Sequence, residues 1–389
     1  MKTNETEFTV RVLFLSNQLP QLSSAASAYQ TRLAGLQRGL AAQGVETTLL
    51  SLKTMHVNRP NLLFACNARA IAHAAQGYDF IHAAGPGATV AAAAARLWHN
   101  HHVLFDVHGD EVQEKWLQFQ DAPSSRRAGL VVQAWLLSQA AKRLADYFLV
   151  VSEPFRRRYQ QQGIAAERIA VVRNGVDLAH FQPPARLPVR DAGALTIAYA
   201  GGFQAWQAID VLIAAMTQIP AHQIRFLLIG FTAQDQPHKA AIAQQLAGRA
   251  TLVDWLPTDQ LAERLWQADV LVIPRTTHPA MRGGCPSKFA EYLALGKPLI
   301  VTTVDETADF VQQAACGLVC APTAAGWRAA LQQATQWSVA ERQQMGSRAR
   351  QLAEQIFDWR VIGRKYAALL AALAAEKGSA YGSDSTFAH

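Results

Sequence analysis

Cysteine is scarce. Four residues (Cys66, Cys285, Cys316, Cys320) in a chain of 389 make no disulfide framework, and a reducing cytoplasm is the compartment they imply. Cys316 and Cys320 bracket a short apolar run, where a two-residue period predicts both on one strand face, and no histidine stands at zinc-finger spacing from them. Charge is thin as well. Charged residues make up 17% of the chain, but Lys and Arg exceed Asp and Glu by enough to give a formal +7. That balance favours anionic partners such as nucleotide phosphates, acidic lipids or nucleic acid without choosing among them. Long hydrophobic runs are missing too. GATVAAAAARLW and AGLVVQAWLLSQAA are too short or too polar to span a bilayer. The start, MKTNETEFTVRVLFLS, lacks the charged, apolar and small-residue succession of a signal peptide. A soluble cytoplasmic protein is therefore expected.

What is present is a rhythm of short β-branched runs and longer Ala/Leu/Gln stretches, the pattern of parallel sheets covered by helices. Strands are predicted at 9–15, 46–52, 80–83, 103–106, 147–151 and 169–173, with helices at 28–43, 88–99 and 130–145. Residues 181–195 (FQPPARLPVRDAGAL) interrupt with three prolines and read as a linker. The rhythm then resumes, with strands at 196–200, 225–229, 250–253, 270–273, 299–302 and 318–320 and helices at 209–218, 238–247, 259–267 and 287–295. The expected class is α/β, two doubly wound Rossmann-like domains facing a cleft, with ligands at the carboxyl ends of the strands. Expected boundaries are 1–183, 184–355, a closing helix over 356–377 that crosses back to the first domain, and a disordered tail over 378–389.

The most informative segment is RGGCPSKFAEYLALGKPLIVT, residues 282–302. Gly283 and Gly284 let backbone approach a ligand. A helix starting near Pro286 or Ser287 presents free N–H groups to an anion. Lys288 in the first turn opposes the helix dipole, which makes sense beside a phosphate. Glu291, three residues on and on the same face, suits a ribose diol. Elsewhere, LFDVHGDEVQEKW places His108 just past a strand end. A metal reading of His99, His101, His102 and His108 fails on spacing, because His101 and His102 alternate faces and no i, i+4 pair exists.

PSKFAEYLALGKPLIVT resembles the donor-binding signature of the family-4 glycosyltransferases (group 1, GT-B fold). SEPFRRRYQQQGIAAERIAVVRNGVDLAHFQP (152–183) and IAYAGGFQAWQAIDVLIAAM (197–216) are similar to that family's hinge-side segment and to the strand and Gly-rich loop opening its donor domain. The resemblance implies a retaining transfer of sugar from a UDP- or GDP-linked donor to a glycan or lipid-linked acceptor. It implies no further cofactor, no metal and no nucleic acid. It assigns catalytic positions to His108, Lys288 and Glu291. Donor contacts fall at Gly201, Gly202, Gln207, Arg275, Gly283, Gly284, Cys285, Pro286, Ser287 and Phe289. Three departures stand out. Gly202 and Gln207 replace an Arg and a Lys that usually reach the diphosphate, and Gly283 replaces the first of two Glu residues. SSAAS (23–27) replaces a Gly-Gly loop. Lys288, Arg275, Arg282 and the helix N-terminus are the candidates to compensate.

Two alternatives compete. A dinucleotide oxidoreductase rests on AGPGATV (84–90), where Val90 occupies the third glycine position and breaks the fingerprint. A non-catalytic scaffold that binds a partner or regulates an active homologue rests on the missing cations. Finally, Arg126-Arg127, Lys142-Arg143 and Arg156-Arg157-Arg158, with Trp135, Tyr147, Phe155 and Tyr159, suggest a basic, aromatic helical face for peripheral contact with an anionic membrane. No recognition motif accompanies the charge, so nucleic acid is not an expected partner.

Overall fold

The computed structural model describes residues 10–17, 28–53, 63–119, 122–182 and 193–383. The SSAAS segment, residues 183–192 of the linker and 384–389 of the tail lie outside the described residues.

Among the described residues, twelve strands form two sheets. The first contains β1 (Arg11–Ser16), β2 (Glu46–Ser51), β3 (Phe80–Ala84), β4 (His102–Val107), β5 (Tyr147–Val150) and β6 (Ile169–Val171), in the order β2-β1-β3-β4-β5-β6. The second contains β7 (Leu195–Ala200), β8 (Ile224–Phe231), β9 (Ala250–Asp254), β10 (Val270–Ile273), β11 (Leu299–Thr302) and β12 (Gly317–Cys320), in the order β12-β11-β10-β7-β8-β9. All the pairings are parallel. Strands such as VLVI and LIVT are buried at every position, as strands covered by helices on both faces must be. The α/β, doubly wound class read from the sequence is the one observed.

The two cysteines near β12 correct the sequence reading. Cys316 packs with Leu299, Val311 and Phe289, whereas Cys320 packs with Trp327 and Leu331 in a separate cluster. Cys316 precedes the strand and follows Ala315, whose φ is +47°, so the two-residue alternation does not extend back to it.

The chain crosses between its halves twice. Val176 donates to Phe357 O at 2.7 Å and accepts from Trp359 N at 3.2 Å, so the outgoing and returning segments are bonded to each other. The returning helix, Trp359–Ser383, extends beyond residue 377 and lies on the first sheet. Its Trp359, Ile362, Tyr366, Leu370 and Leu373 share a core with Phe14, Leu33, Leu36 and Leu40. Glycine permits the approach to the Ala28–Ala41 helix. A β-carbon on Gly363 would sit 2.3 Å from the Gly39 carbonyl carbon, and one on Gly35 would sit 2.1 Å from the Trp359 ring. Neither helix tolerates a side chain at the crossing.

Beneath this crossing is a buried charge cluster. Arg32 makes a two-pronged contact with Asp106, Nε to Oδ2 at 3.0 Å and Nη2 to Oδ1 at 2.6 Å, and both side chains are sealed from solvent. His82 Nε2 lies 3.3 Å from Asp106, and its Nδ1 shares a 2.8 Å hydrogen bond with Tyr366 of the returning helix. Burial alone would raise the Asp106 pKa, but Arg32 and then His82 outweigh it and hold the carboxyl well below the usual range. Replacing Asp106 by Ala strands the Arg32 guanidinium in the core. We expect a loss of about 3–5 kcal/mol, read as a fall in the urea midpoint of the first-half unfolding transition. A midpoint within error of wild type would remove the cluster from the stability of this half.

Candidate functional site

Strand order reverses between β7 and β10, and the carboxyl ends of these strands carry Gly201 and Arg275. Gly201 (φ +139°) leaves room for an ammonium group, since a β-carbon there would meet Lys288 Nζ at 2.5 Å. Lys288 donates to Tyr199 Oη at 3.0 Å and to Gln207 Oε1 at 3.3 Å, with its ammonium 4.3 Å from the Tyr199 ring. Tyr199 in turn donates to Gly202 O at 2.6 Å. Tyr292 pins the Ser287–Ala294 helix to the end of β7, accepting from Ala200 N at 2.6 Å. The glycine loop and the helix carrying Lys288 and Glu291 are thus one rigid assembly.

That helix begins after Pro286 with no side-chain cap, which leaves its first N–H groups free for an anion. Burial lowers the Lys288 pKa to about 7, with Arg275 reinforcing the shift and Glu291 opposing it. Burial raises Glu291 to about 7, opposed by Lys288. An acid and a base are therefore both poised near neutrality one helical turn apart. Cys285 and Phe289 turn into the core, so a ligand meets only their backbone. Arg275 is largely engaged by Asp305, Nη1 to Oδ2 at 2.6 Å.

On the facing half, His108 directly follows β4. Its ring stacks at a tilt on Tyr29, centroids 4.5 Å apart, and its buried Nδ1 has no hydrogen-bond partner among the described residues. Burial lowers its pKa below the ordinary imidazole value, opposed by the Asp106 charge. Asp110 caps the Glu111–Gln118 helix and pairs with Arg158 at 3.0 Å. Burial also raises the pKa of Glu114, with Asp110 adding to the shift.

Three side chains of the first half grip carbonyls of the loop before the Ser287–Ala294 helix. Arg158 Nη2 donates to Arg282 O at 2.8 Å, Ser152 Oγ to Gly283 O, and Asn174 Nδ2 to Cys285 O at 2.9 Å. Arg173 and Glu306 form a further ion pair between the halves, and Glu306 Oε1 also accepts from Glu153 N at 3.1 Å. Asn174 Oδ1 also accepts from Arg32 at 3.2 Å. Among the described residues no group of three or more His, Cys, Asp or Glu is placed to hold a metal ion.

Comparison with known proteins places this geometry. Residues 30–180 match the family described as Glycosyltransferase Family 4, and residues 194–336 match Glycosyl transferases group 1. The chain belongs to the family-4, group 1 glycosyltransferases. A protein of Escherichia coli K12 named as a colanic acid biosynthesis glycosyltransferase, WcaL, is 28% identical over 239 residues. That match spans 59% of this chain and 58% of the relative. Sucrose-phosphate synthase of Thermosynechococcus elongatus shares the fold with a TM-score of 0.74 at 20% identity, covering 95% of this chain and all of that one. HepE of Anabaena, solved with UDP and glucose, has a TM-score of 0.67 at 17% identity, over 93% and 99% of the two chains.

The departures from the family-4 pattern acquire physical reasons. Gln207, where the family usually has a lysine, accepts a hydrogen bond from Lys288; a second ammonium there would repel it. Gly283, in place of the first Glu, has φ +103°, a left-handed conformation that only glycine adopts without strain. Restoring that residue as Gly283→Glu meets no close contact, as the nearest atom is 3.5 Å from the new β-carbon. The cost is backbone strain of about 1–2 kcal/mol. Calorimetry should record a midpoint lower by a few degrees, at about 2–4 °C per kcal/mol. An unchanged or higher midpoint would mean that the loop does not need glycine.

Proposed function

We propose that this chain is a nucleotide-sugar-dependent glycosyltransferase acting with retention at the anomeric carbon in glycan, polysaccharide or glycolipid assembly. Residues 184–355 take a UDP- or GDP-linked donor, and residues 1–183 take a glycan or lipid-linked acceptor. The observation that carries the reading is the pairing of Lys288 and Glu291 on one helical turn beside the Gly201 loop, latched to the His108 loop through Asp110, Arg158 and Arg282 O. Glu291 accepts hydrogen bonds from the ribose. Lys288 and the Gly283–Ser287 backbone stabilise charge developing on the leaving diphosphate. His108 donates to the transferred sugar. The departing phosphate takes the acceptor proton, so the scheme requires neither a protein base nor a metal. UDP, bound in HepE, is the first nucleotide to test.

The non-catalytic reading keeps one specific support. With Arg275 held by Asp305, Lys288 is the main cation left at the donor end. A peripheral contact with an anionic membrane is also part of the proposal. Phe155 and Tyr159 are buried, so the face that would serve is on the Ser124–Leu144 helix, where Val132, Leu136 and Leu144 are exposed beside Arg126 and Arg143. No described helix is long and apolar enough to cross a membrane.

A nucleotide at a hundredfold its Kd should stabilise the fold by about 2.7 kcal/mol, a shift of several degrees that Glu291→Ala abolishes. If UDP, GDP and ADP and their sugar derivatives all leave the midpoint unmoved, the donor assignment is lost. Binding without release of nucleotide from any sugar donor would favour the scaffold.

The pH dependence follows from the same pair. Protonation of Glu291 weakens the ribose contact below about pH 7, and deprotonation of Lys288 weakens the phosphate contact above it. Nucleotide affinity measured by titration calorimetry should therefore peak near neutrality. A flat profile would take both residues out of the contact.

A further inference from the structure

A cavity of about 210 Å³ opens in the first half, between the Glu111–Gln118, Ser124–Leu144 and Glu153–Gln161 helices. It is smaller than the roughly 300–1,000 Å³ of pockets for drug-sized ligands, and suits one sugar ring. His108 lines it, so it borders the place where the transferred sugar would lie.

Five formally charged residues line the cavity: Asp106, Asp110, Glu111, Lys142 and Arg158, and Asp106 is already paired with Arg32. Asp110 and Arg158 neutralise each other. Glu111 turns its carboxylate against Gly85, where a β-carbon would be 2.7 Å from Oε1, and burial followed by the Glu114 charge raises its pKa to about 7. Lys142 remains. Its ammonium lies 5.5 Å from the Tyr159 ring centroid and has no ion pair among the described residues, although the side chain is half-buried. Burial disfavours its charged form, the Asp110 charge opposes that effect and the Arg158 charge adds to it. A half-buried cation that faces a void and has no ion-pair partner among the described residues is a recognition element for an anion. Around it stand Ser138, Gln139 and Gln162, which pair with hydroxyls, and Trp135, half-exposed at the rim, which offers a flat apolar face.

We propose that this cavity is the subsite for an acidic sugar ring of the acceptor, with Lys142 receiving its carboxylate or phosphate group. The proposal rests on the reading that the first half takes the acceptor. Nothing in the charge balance distinguishes the two anions, so the experiment must.

Saturation-transfer NMR on the full chain, with methyl β-glucuronide, glucose 6-phosphate and methyl β-glucoside as probes, tests it. Each titration is run alone and with the nucleotide that most raises the unfolding midpoint. At least one acidic probe should bind about tenfold tighter than the neutral glycoside, the size of one charge-assisted contact. Lys142→Gln should erase that preference. Binding of the glucuronide alone assigns a carboxylate, and of the 6-phosphate alone a phosphate. Equal binding of acidic and neutral probes, no binding of any probe, or an acidic preference surviving in Lys142→Gln overturns the proposal. If circular dichroism finds the variant misfolded, the wild-type preference decides. The nucleotide shift is read on the same samples. Its absence beside a retained acidic preference removes the donor reading and leaves this subsite standing.

Discussion

The structure hangs on a guanidinium that water never reaches. Arg32 spends two nitrogens on Asp106 and shares a third between Arg173 O and Asn174 Oδ1. Asn174 then reaches across the halves to Cys285 O. Desolvating such a pair is costly, and its net contribution to stability is small or even negative. Losing either partner is far worse. Its use here is geometric. The helix after β1, the strands β3 and β4, the end of β6 and the returning helix must all meet at one point for the charge to be satisfied. The same point sets the height of the loop before the Ser287–Ala294 helix.

This arrangement bears on how the chain works with fewer cations than its family usually carries. The loop that would meet a diphosphate is held by its own carbonyls to the first half, so its N–H groups are oriented before any ligand arrives. Preorganised dipoles in a dry site are worth more than the same groups in water, and they need no reorganisation when charge develops. Gly283 belongs to that logic. An acidic side chain has been exchanged for a backbone turn whose carbonyl is anchored by Ser152. One consequence is that the geometry of this loop and the angle between the halves are not independent variables.

The strands were legible because parallel, doubly covered strands are continuous apolar runs, and the placement of Lys288 and Glu291 one turn apart was legible because they share a short helix. What joins distant segments was not. Arg32 and Asp106 are 74 residues apart, and Asn174 and Cys285 are 111 apart. No periodicity encodes such pairs. One signal was available: an aspartate inside the apolar run VLFDV, since a fully buried acid requires a partner. Lys142 was read with Arg143 as part of a basic surface, yet the two residues diverge. Arg143 is exposed, and Lys142 turns toward a void. Adjacent helical positions point about 100° apart, so a charge run in sequence is not a charged face. The cysteines failed for a related reason, since alternation holds only within the strand that generates it.

The returning helix has a consequence for how the protein is made. Trp359, Tyr366 and Leu370 complete a core whose other walls are built from the first half of the chain. During synthesis that half emerges before its covering helix and before Tyr366, whose hydroxyl bonds His82, and lacks both until the segment beyond residue 359 has left the ribosome. Its apolar surface around Leu36 and Leu40 stays uncovered for that interval. The second half, whose cores draw almost entirely on residues after 194, has everything it needs sooner. Order of emergence and order of completion are therefore reversed. A fragment ending at the linker would be a sheet with one face unfinished, not a portable domain.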